Sequence, residues 1–129
     1  MSARSSDDDG GAAAAVVRAY YDAIQSRDYR RAYGLWEDAG RASGQSFDAF
    51  RRGFAETASV ELTVGAPGRV EGAAGSRYVD VPVAVTAVQR DGTVRRFRGR
   101  YTLRRAVVPG ATDAERHWHL YAARVARVD

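Results

Sequence analysis

Two histidines near the carboxyl end carry the side chains best suited to metal binding or acid–base chemistry. His117 and His119 lie two residues apart in a segment that predicts a strand, so both imidazoles would project from one face. A tetrahedral metal site needs a third ligand, for which Asp80 is the candidate, since the chain has no cysteine. We favour a pair of exposed strand histidines, and predict no metal and no cofactor.

Aromatic residues form a second group that could contact a ligand. They recur at helical spacing in the first half of the chain and on one face of the predicted strands. Such stripes usually form cores, but buried tyrosine hydroxyls need polar partners, so a pocket lining stays open as the alternative. The pocket candidates are Tyr20, Tyr21, Tyr33, Trp36, Phe54, Phe97 and Tyr101. Either Tyr20 or Tyr21 could face such a pocket.

The first half of the chain predicts three helices. Residues 12–27 place apolar side chains at helical spacing. Asp28 is a suitable N-cap for a second helix that reaches Trp36, and Ser46 for a third that reaches Phe54. Residues 1–11 are small and polar, which predicts a disordered tail before a single domain over residues 12–129.

After Thr57 the apolar period changes to two, which predicts strands over residues 60–64, 76–89 and 117–128. The turn at Asp91-Gly92 allows two hairpin registers. A two-residue loop would set Val85 opposite Arg98 and break up the apolar face.

A three-residue loop, with Gly92 left-handed, would set Val85 opposite Phe97 and Val81 opposite Tyr101. This register keeps the apolar face whole, and we predict it. Trp118, Leu120 and Ala122 would then share the inward face of the last strand.

The predicted register gathers the polar side chains on the other face of the sheet. We interpret this face as an interaction surface. Its candidates are Tyr78, Asp80, Arg96, Arg98, Arg100, Arg104, His117, His119 and Tyr121.

The basic charge is weaker evidence for function than it first looks. The net charge is +4, but all twenty basic residues are arginine, which indicates the codon usage of a GC-rich bacterial genome. No apolar run approaches the length of about 20 residues that spans a bilayer. The amino terminus lacks a signal-peptide pattern, so we expect a cytoplasmic protein, or a periplasmic one if a leader was removed.

Three segments carry a resemblance to a known superfamily. VVRAYYDAIQSRDYRRAYGLW, GRVEGAAGSRYVDVPVAV and HWHLYAARV, within residues 12–128, resemble small bacterial members of the nuclear transport factor 2-like superfamily, which includes SnoaL-like and ketosteroid-isomerase-like proteins. The resemblance implies an α+β fold in which amino-terminal helices pack into a strongly curved antiparallel sheet, a cystatin-like, cone-shaped barrel. It also implies a pocket between helices and sheet, and subunits that often pair through the outer sheet face.

The function that we favour is a ligand-binding or protein-interaction domain, more a binding protein than an enzyme. It would take a small hydrophobic ligand and pair with a second copy through the open sheet face, with no membrane partner. One alternative is a SnoaL-like isomerase, cyclase or dehydratase that moves a proton on a hydrophobic ring compound, with Tyr20 or Tyr21 as hydrogen-bond donor and His119 as base. A second alternative is nucleic-acid binding by the arginine face.

Overall fold

A computed structural model describes residues 10–128, and its elements follow the predicted order of helices and then strands. The α-helices are α1 Ala12–Gln25, α2 Tyr29–Gly34, α3 Phe47–Gly53 and α4 Asp113–Arg116, with a 3-10 turn at Arg41–Ser43. The strands are β1 Thr57–Val64, β2 Glu71–Ala73, β3 Ser76–Gln89, β4 Val94–Ala106 and β5 His119–Arg127. Most of the predicted tail lies outside the described residues, and Gly11 is the N-cap of α1.

The two predicted helix caps are confirmed. The Asp28 carboxylate accepts a hydrogen bond from the Arg31 amide at 3.2 Å, and the Ser46 hydroxyl accepts one from the Ala49 amide at 3.1 Å. Helix α1 ends two residues earlier than predicted, because Arg27 adopts a left-handed conformation with φ 63°. Helix α2 also ends early, so Trp36 follows the helix instead of lying on it.

Helix α4 was not predicted from the sequence. It begins at a capping box, in which the Thr112 hydroxyl accepts from the Glu115 amide and the Glu115 carboxylate accepts from the Thr112 amide. These bonds to Thr112 hold the pKa of Glu115 below its usual value. The Thr-x-x-Glu spacing was the signal in the sequence that could have revealed this turn.

The sheet is antiparallel and open. Its strand order is β1-β3-β4-β5, and the short β2 pairs with the same strand, β3, as β1 does. Strand β1 pairs along the second half of β3 and β2 along its first three residues. Within residues 10–128 β1 and β5 do not pair, so the sheet is open on one side, which is consistent with the predicted α+β cone.

The predicted three-residue hairpin register is confirmed. Gly92 adopts φ 88°, and the Gln89 amide donates to the Thr93 carbonyl at 2.8 Å. Val85 lies opposite Phe97, and Val81 lies opposite Tyr101. Val79, Val81, Val83 and Val85 of β3 are therefore buried on the face toward the helices.

Strand β5 contains a bulge that the sequence did not indicate. Leu120 pairs with Leu103, but the next residue of β4, Thr102, pairs with Ala122, which leaves Tyr121 as the extra residue. Trp118 and Leu120 are buried as predicted, at 4% and 0% exposure. The prediction for Ala122 is wrong, because the bulge reverses the alternation and places this residue on the outer face.

The core lies between α1 and the inner sheet face. A parallel bridge between Trp36 and Leu120 closes one end: the Leu120 amide donates to the Leu35 carbonyl, and the Glu37 amide donates to the Leu120 carbonyl, both at 2.8 Å. Within residues 10–128 no helix has the length and apolar character needed to cross a bilayer.

Candidate ligand cavity

A cavity of about 230 Å³ opens between the helices and the inner sheet face. Most of its lining is apolar, and four side chains contribute polar groups. The lining residues are Tyr21, Gly53, Phe54, Thr57, Val60, Val85, Ala87, Gln89, Arg95, Phe97 and Val125.

The β3–β4 register determines which side chains reach this cavity. Val85 pairs with Phe97 and Ala87 pairs with Arg95, and in both pairs the side chains lie on the inner face. Helix α3 ends at the cavity with Phe54, whose ring stacks on Tyr29 with a centroid distance of 6.0 Å. The cavity therefore lies at the hairpin end of the sheet.

The predicted pocket residues divide into three groups. Tyr21, Phe54 and Phe97 line the cavity. Tyr20, Trp36 and Tyr101 are 4 to 6% exposed and do not line it, because their rings pack edge to face on one another in the core.

Tyr33 lies outside the cavity as well. Its hydroxyl donates to the Gln45 carbonyl at 2.7 Å, and its ring packs against Phe47 and Phe50. The ring also occupies the space beside Gly40, where an added Cβ would clash with it. Tyr33 thus anchors the loop between α2 and α3.

A buried tyrosine pair links the cavity wall to the core. The Tyr21 and Tyr101 hydroxyl oxygens are 2.6 Å apart. Burial raises the pKa of both phenols. Either hydroxyl could donate in this pair, and the hydroxyl that accepts keeps a proton for a second hydrogen bond.

Tyr20 lies one residue away but faces the core. Burial raises its pKa, and the neighbouring Trp36 indole, 6.2 Å away between ring centroids, partly offsets the rise. Among residues 10–128 the buried Trp36 Nε1 nevertheless meets no acceptor with good hydrogen-bond geometry. Of the two first-helix tyrosines, Tyr21 is the one that reaches the cavity.

The cavity has hydrogen-bonding groups and one cation, but its described lining contains no carboxylate and no imidazole. Sequence reasoning missed Arg95, which was not among the predicted site residues. The signal was available, since Arg95 and Phe97 are two apart on one strand and share a face.

The outer sheet face carries the predicted arginine row. Arg96, Arg98 and Arg100 lie opposite Thr86, Ala84 and Pro82 on this face. Asp80 accepts from the Thr102 hydroxyl at 2.6 Å and pairs with the Arg100 guanidinium at 3.3 Å. It is engaged with the arginine row and is not directed at a histidine.

Tyr78 and Tyr121 meet edge to face on the same side, with ring centroids 5.5 Å apart. Arg104 pairs with the Glu37 carboxylate at 2.9 Å, which ties the loop after α2 to β4.

The two histidines do not form the predicted strand pair. His117 caps the end of α4, and β5 begins only at His119. The His119 ring Nδ1 lies 2.9 Å from the His117 carbonyl oxygen, and His119 pairs with Arg104 on the outer face. No cluster of three or more histidine, aspartate or glutamate side chains within residues 10–128 is arranged to hold a metal.

Comparisons with known proteins define the class of fold. The chain is similar to a conserved protein from Planctomyces limnophilus DSM 3776, with a TM-score of 0.61, 13% identity, and coverage of 88% of this chain and 93% of that one. It is also similar to a nuclear transport factor 2-like superfamily protein from Salmonella enterica serovar Typhimurium LT2, with a TM-score of 0.58, 13% identity, and coverage of 87% and 85%.

No protein-family model and no curated protein matches the sequence. The similarity to solved structures shows that the chain has the nuclear transport factor 2-like fold. At this identity the likeness concerns the fold alone, so function must be argued from the cavity.

Proposed function

We propose that this protein binds a small hydrophobic ligand in the cone cavity and does not transform it. The observation that carries the proposal is the lining: aromatic and aliphatic side chains with a few polar groups, and no carboxylate or imidazole among the described residues. Apolar surface provides the affinity in such a site, and a few polar groups fix the orientation.

The size of the cavity indicates the size of the ligand. A dry cavity of about 150 Å³ holds one benzene molecule, and drug-sized ligands occupy about 300 Å³ or more. A volume of about 230 Å³ lies between these values. It fits a compound of one or two rings.

Binding of a neutral two-ring probe, 2-naphthamide, tests the proposal. Val125 lines the cavity from β5, and its neighbour Ala126 lies on the outer face opposite Arg98. We expect Val125→Phe to fill the cavity and weaken calorimetric binding at least tenfold, with Ala126→Phe as the matched control that leaves it unchanged. Ala87→Leu narrows the cavity from another strand and should also weaken binding, which guards against a folding defect in one variant. Absent binding, or equal binding by all four proteins, would contradict the proposal.

A proton-transfer enzyme is the second candidate, and the Tyr21–Tyr101 pair favours it. The pair could donate a hydrogen bond to a carbonyl oxygen that gains negative charge. Such a reaction also needs a base near the substrate. His119 does not fill that role, because it lies on the outer face of the sheet while Tyr21 lies at the inner one.

We also propose that the outer sheet face pairs two copies of the chain. Pro82, Arg98 and Arg100 are exposed, so no described element covers this face. Pairing would bring arginines of the two copies together, and salt screens that repulsion. Sedimentation should therefore show association that strengthens with salt, and a monomer at high protein concentration under all conditions would contradict it.

Nucleic-acid binding by the same face makes the opposite prediction. Contacts between arginine and phosphate release counterions, so the affinity for a single-stranded oligonucleotide would fall steeply with salt. We place this candidate behind pairing, because Asp80 and Glu37 already engage Arg100 and Arg104.

A further inference from the structure

We propose that the ligand of the cone cavity is an aromatic carboxylate whose anionic group pairs with Arg95. This inference rests on the proposed function and specifies its ligand class. Its basis is an arginine on the inner sheet face at the edge of an apolar cavity. The other described lining residues offer no negative charge to that arginine.

Arg95 differs from its neighbours on β4 by facing inward. Arg96, Arg98 and Arg100 alternate onto the outer face, where Asp80 balances part of their charge. Arg95 lies opposite Ala87, beside the Phe97–Val85 pair. Among residues 10–128 it forms no ion pair within 4.0 Å.

Two carboxylates near the hairpin end of the sheet lie outside the described lining of the cavity. Asp91, in the hairpin turn, has its pKa lowered chiefly by hydrogen bonds from Thr93, with a smaller contribution from the charge of Arg95. Glu56 precedes Thr57 at the start of β1 and does not line the cavity. Neither carboxylate belongs to the described lining of the cavity, so an anion bound there would not have to displace one of them from that lining.

The spacing of Phe97 and Arg95 suits an aromatic ring with a carboxylate at its edge. Residues two apart on one strand face have Cα atoms about 7 Å apart. A ring that packs between Phe97 and Phe54 would bring an edge substituent within reach of the guanidinium. Arg95 is exposed, so its planar guanidinium is accessible and can bind a carboxylate through two parallel hydrogen bonds.

The test compares 2-naphthoate with 2-naphthamide, two probes of nearly equal shape that differ in charge. Calorimetry at neutral pH and low salt should show that the protein binds the carboxylate about two- to fivefold more tightly than the amide, because an exposed ion pair contributes modestly. Arg95→Gln should bring the naphthoate affinity down to that of the amide while leaving amide binding unchanged. Arg98→Gln removes the same charge from the outer face of the same strand, and this matched control should keep the preference.

The outcomes separate the inference from the function on which it rests. Equal affinities for both probes in the unmodified protein, or a preference that survives Arg95→Gln, would overturn the carboxylate assignment and leave the binding function standing. A preference lost equally in Arg98→Gln would also overturn it, because that loss reports net charge and not a pairing. Binding of neither probe would overturn both the inference and the proposed function.

Discussion

The Tyr21 and Tyr101 hydroxyls form a 2.6 Å hydrogen bond that joins helix α1 to strand β4 across the interior of the cone. The two residues are 80 positions apart in sequence, and both rings also contact Tyr20. Each hydroxyl is buried, so each depends on the other for its hydrogen bond. The hydrogen bond therefore holds Tyr21, which lines the cavity, against the buried Tyr101 of β4.

The two single variants that remove one hydroxyl should together lose more stability than the double variant that removes both. Tyr21→Phe or Tyr101→Phe leaves one buried hydroxyl unpaired, and we expect each to lower the free energy of unfolding by about 1–3 kcal/mol. The double variant should be less destabilised than the sum of the two, by about 1 kcal/mol. Urea denaturation of the four proteins measures this coupling. Strictly additive costs would show that the hydroxyls do not interact.

Stability should fall at alkaline pH because of the buried phenols. Burial raises the pKa of Tyr20, Tyr21 and Tyr101 in the folded protein, whereas unfolded tyrosine has a pKa of about 10. The unfolded chain therefore loses protons first as the pH rises above about 10, and each such tyrosine lowers stability by about 1.4 kcal/mol per pH unit. Denaturation at a series of pH values should show a shallower fall for Tyr101→Phe, and an identical fall would contradict this account.

Gly99 is required where β4 and β5 approach each other. A Cβ at this position would clash with the Arg124 carbonyl oxygen and lie 2.7 Å from the Val125 Cα. We expect Gly99→Ala to destabilise the protein by about 2 kcal/mol or more, since neither backbone can yield cheaply. Gly34→Ala is the control, because no atom lies within 4 Å of the added Cβ. Thermal unfolding distinguishes them, and equal melting temperatures would refute the close approach.

The absence of a base in the described cavity lining predicts a chemical result. With 2-tetralone as a probe in D₂O, we expect no acceleration of α-proton exchange above the buffer rate, because Tyr21 can donate a hydrogen bond but cannot remove a carbon-bound proton at neutral pH. Proton NMR follows the exchange. An acceleration that Tyr21→Phe abolishes would favour the enzyme over the binding protein.

The local parts of this fold were predictable from the sequence, and the parts set by pairing between distant segments were not. Gly92 and the need for one apolar face determined the β3–β4 register, and Asp28 and Ser46 marked helix starts, because each signal lies within a few residues.

The bulge at Tyr121 depends on how β5 meets β4, so alternation alone misplaced Ala122. At the cavity, Tyr21, Phe54 and Phe97 were among the predicted candidates. Arg95 was not among them, because the predicted pocket candidates were all aromatic residues.

The most direct test of ligand binding in the cone cavity is to locate a bound probe by NMR. Val60, Val85 and Val125 line the cavity, whereas Ala84 and Ala126 lie on the outer face of the same strands. With saturating 2-naphthamide, we predict intermolecular NOEs from the aromatic protons of the probe to the methyl groups of the three valines. NOEs to Ala84 and Ala126 in their place would put the ligand on the outer face and contradict the account.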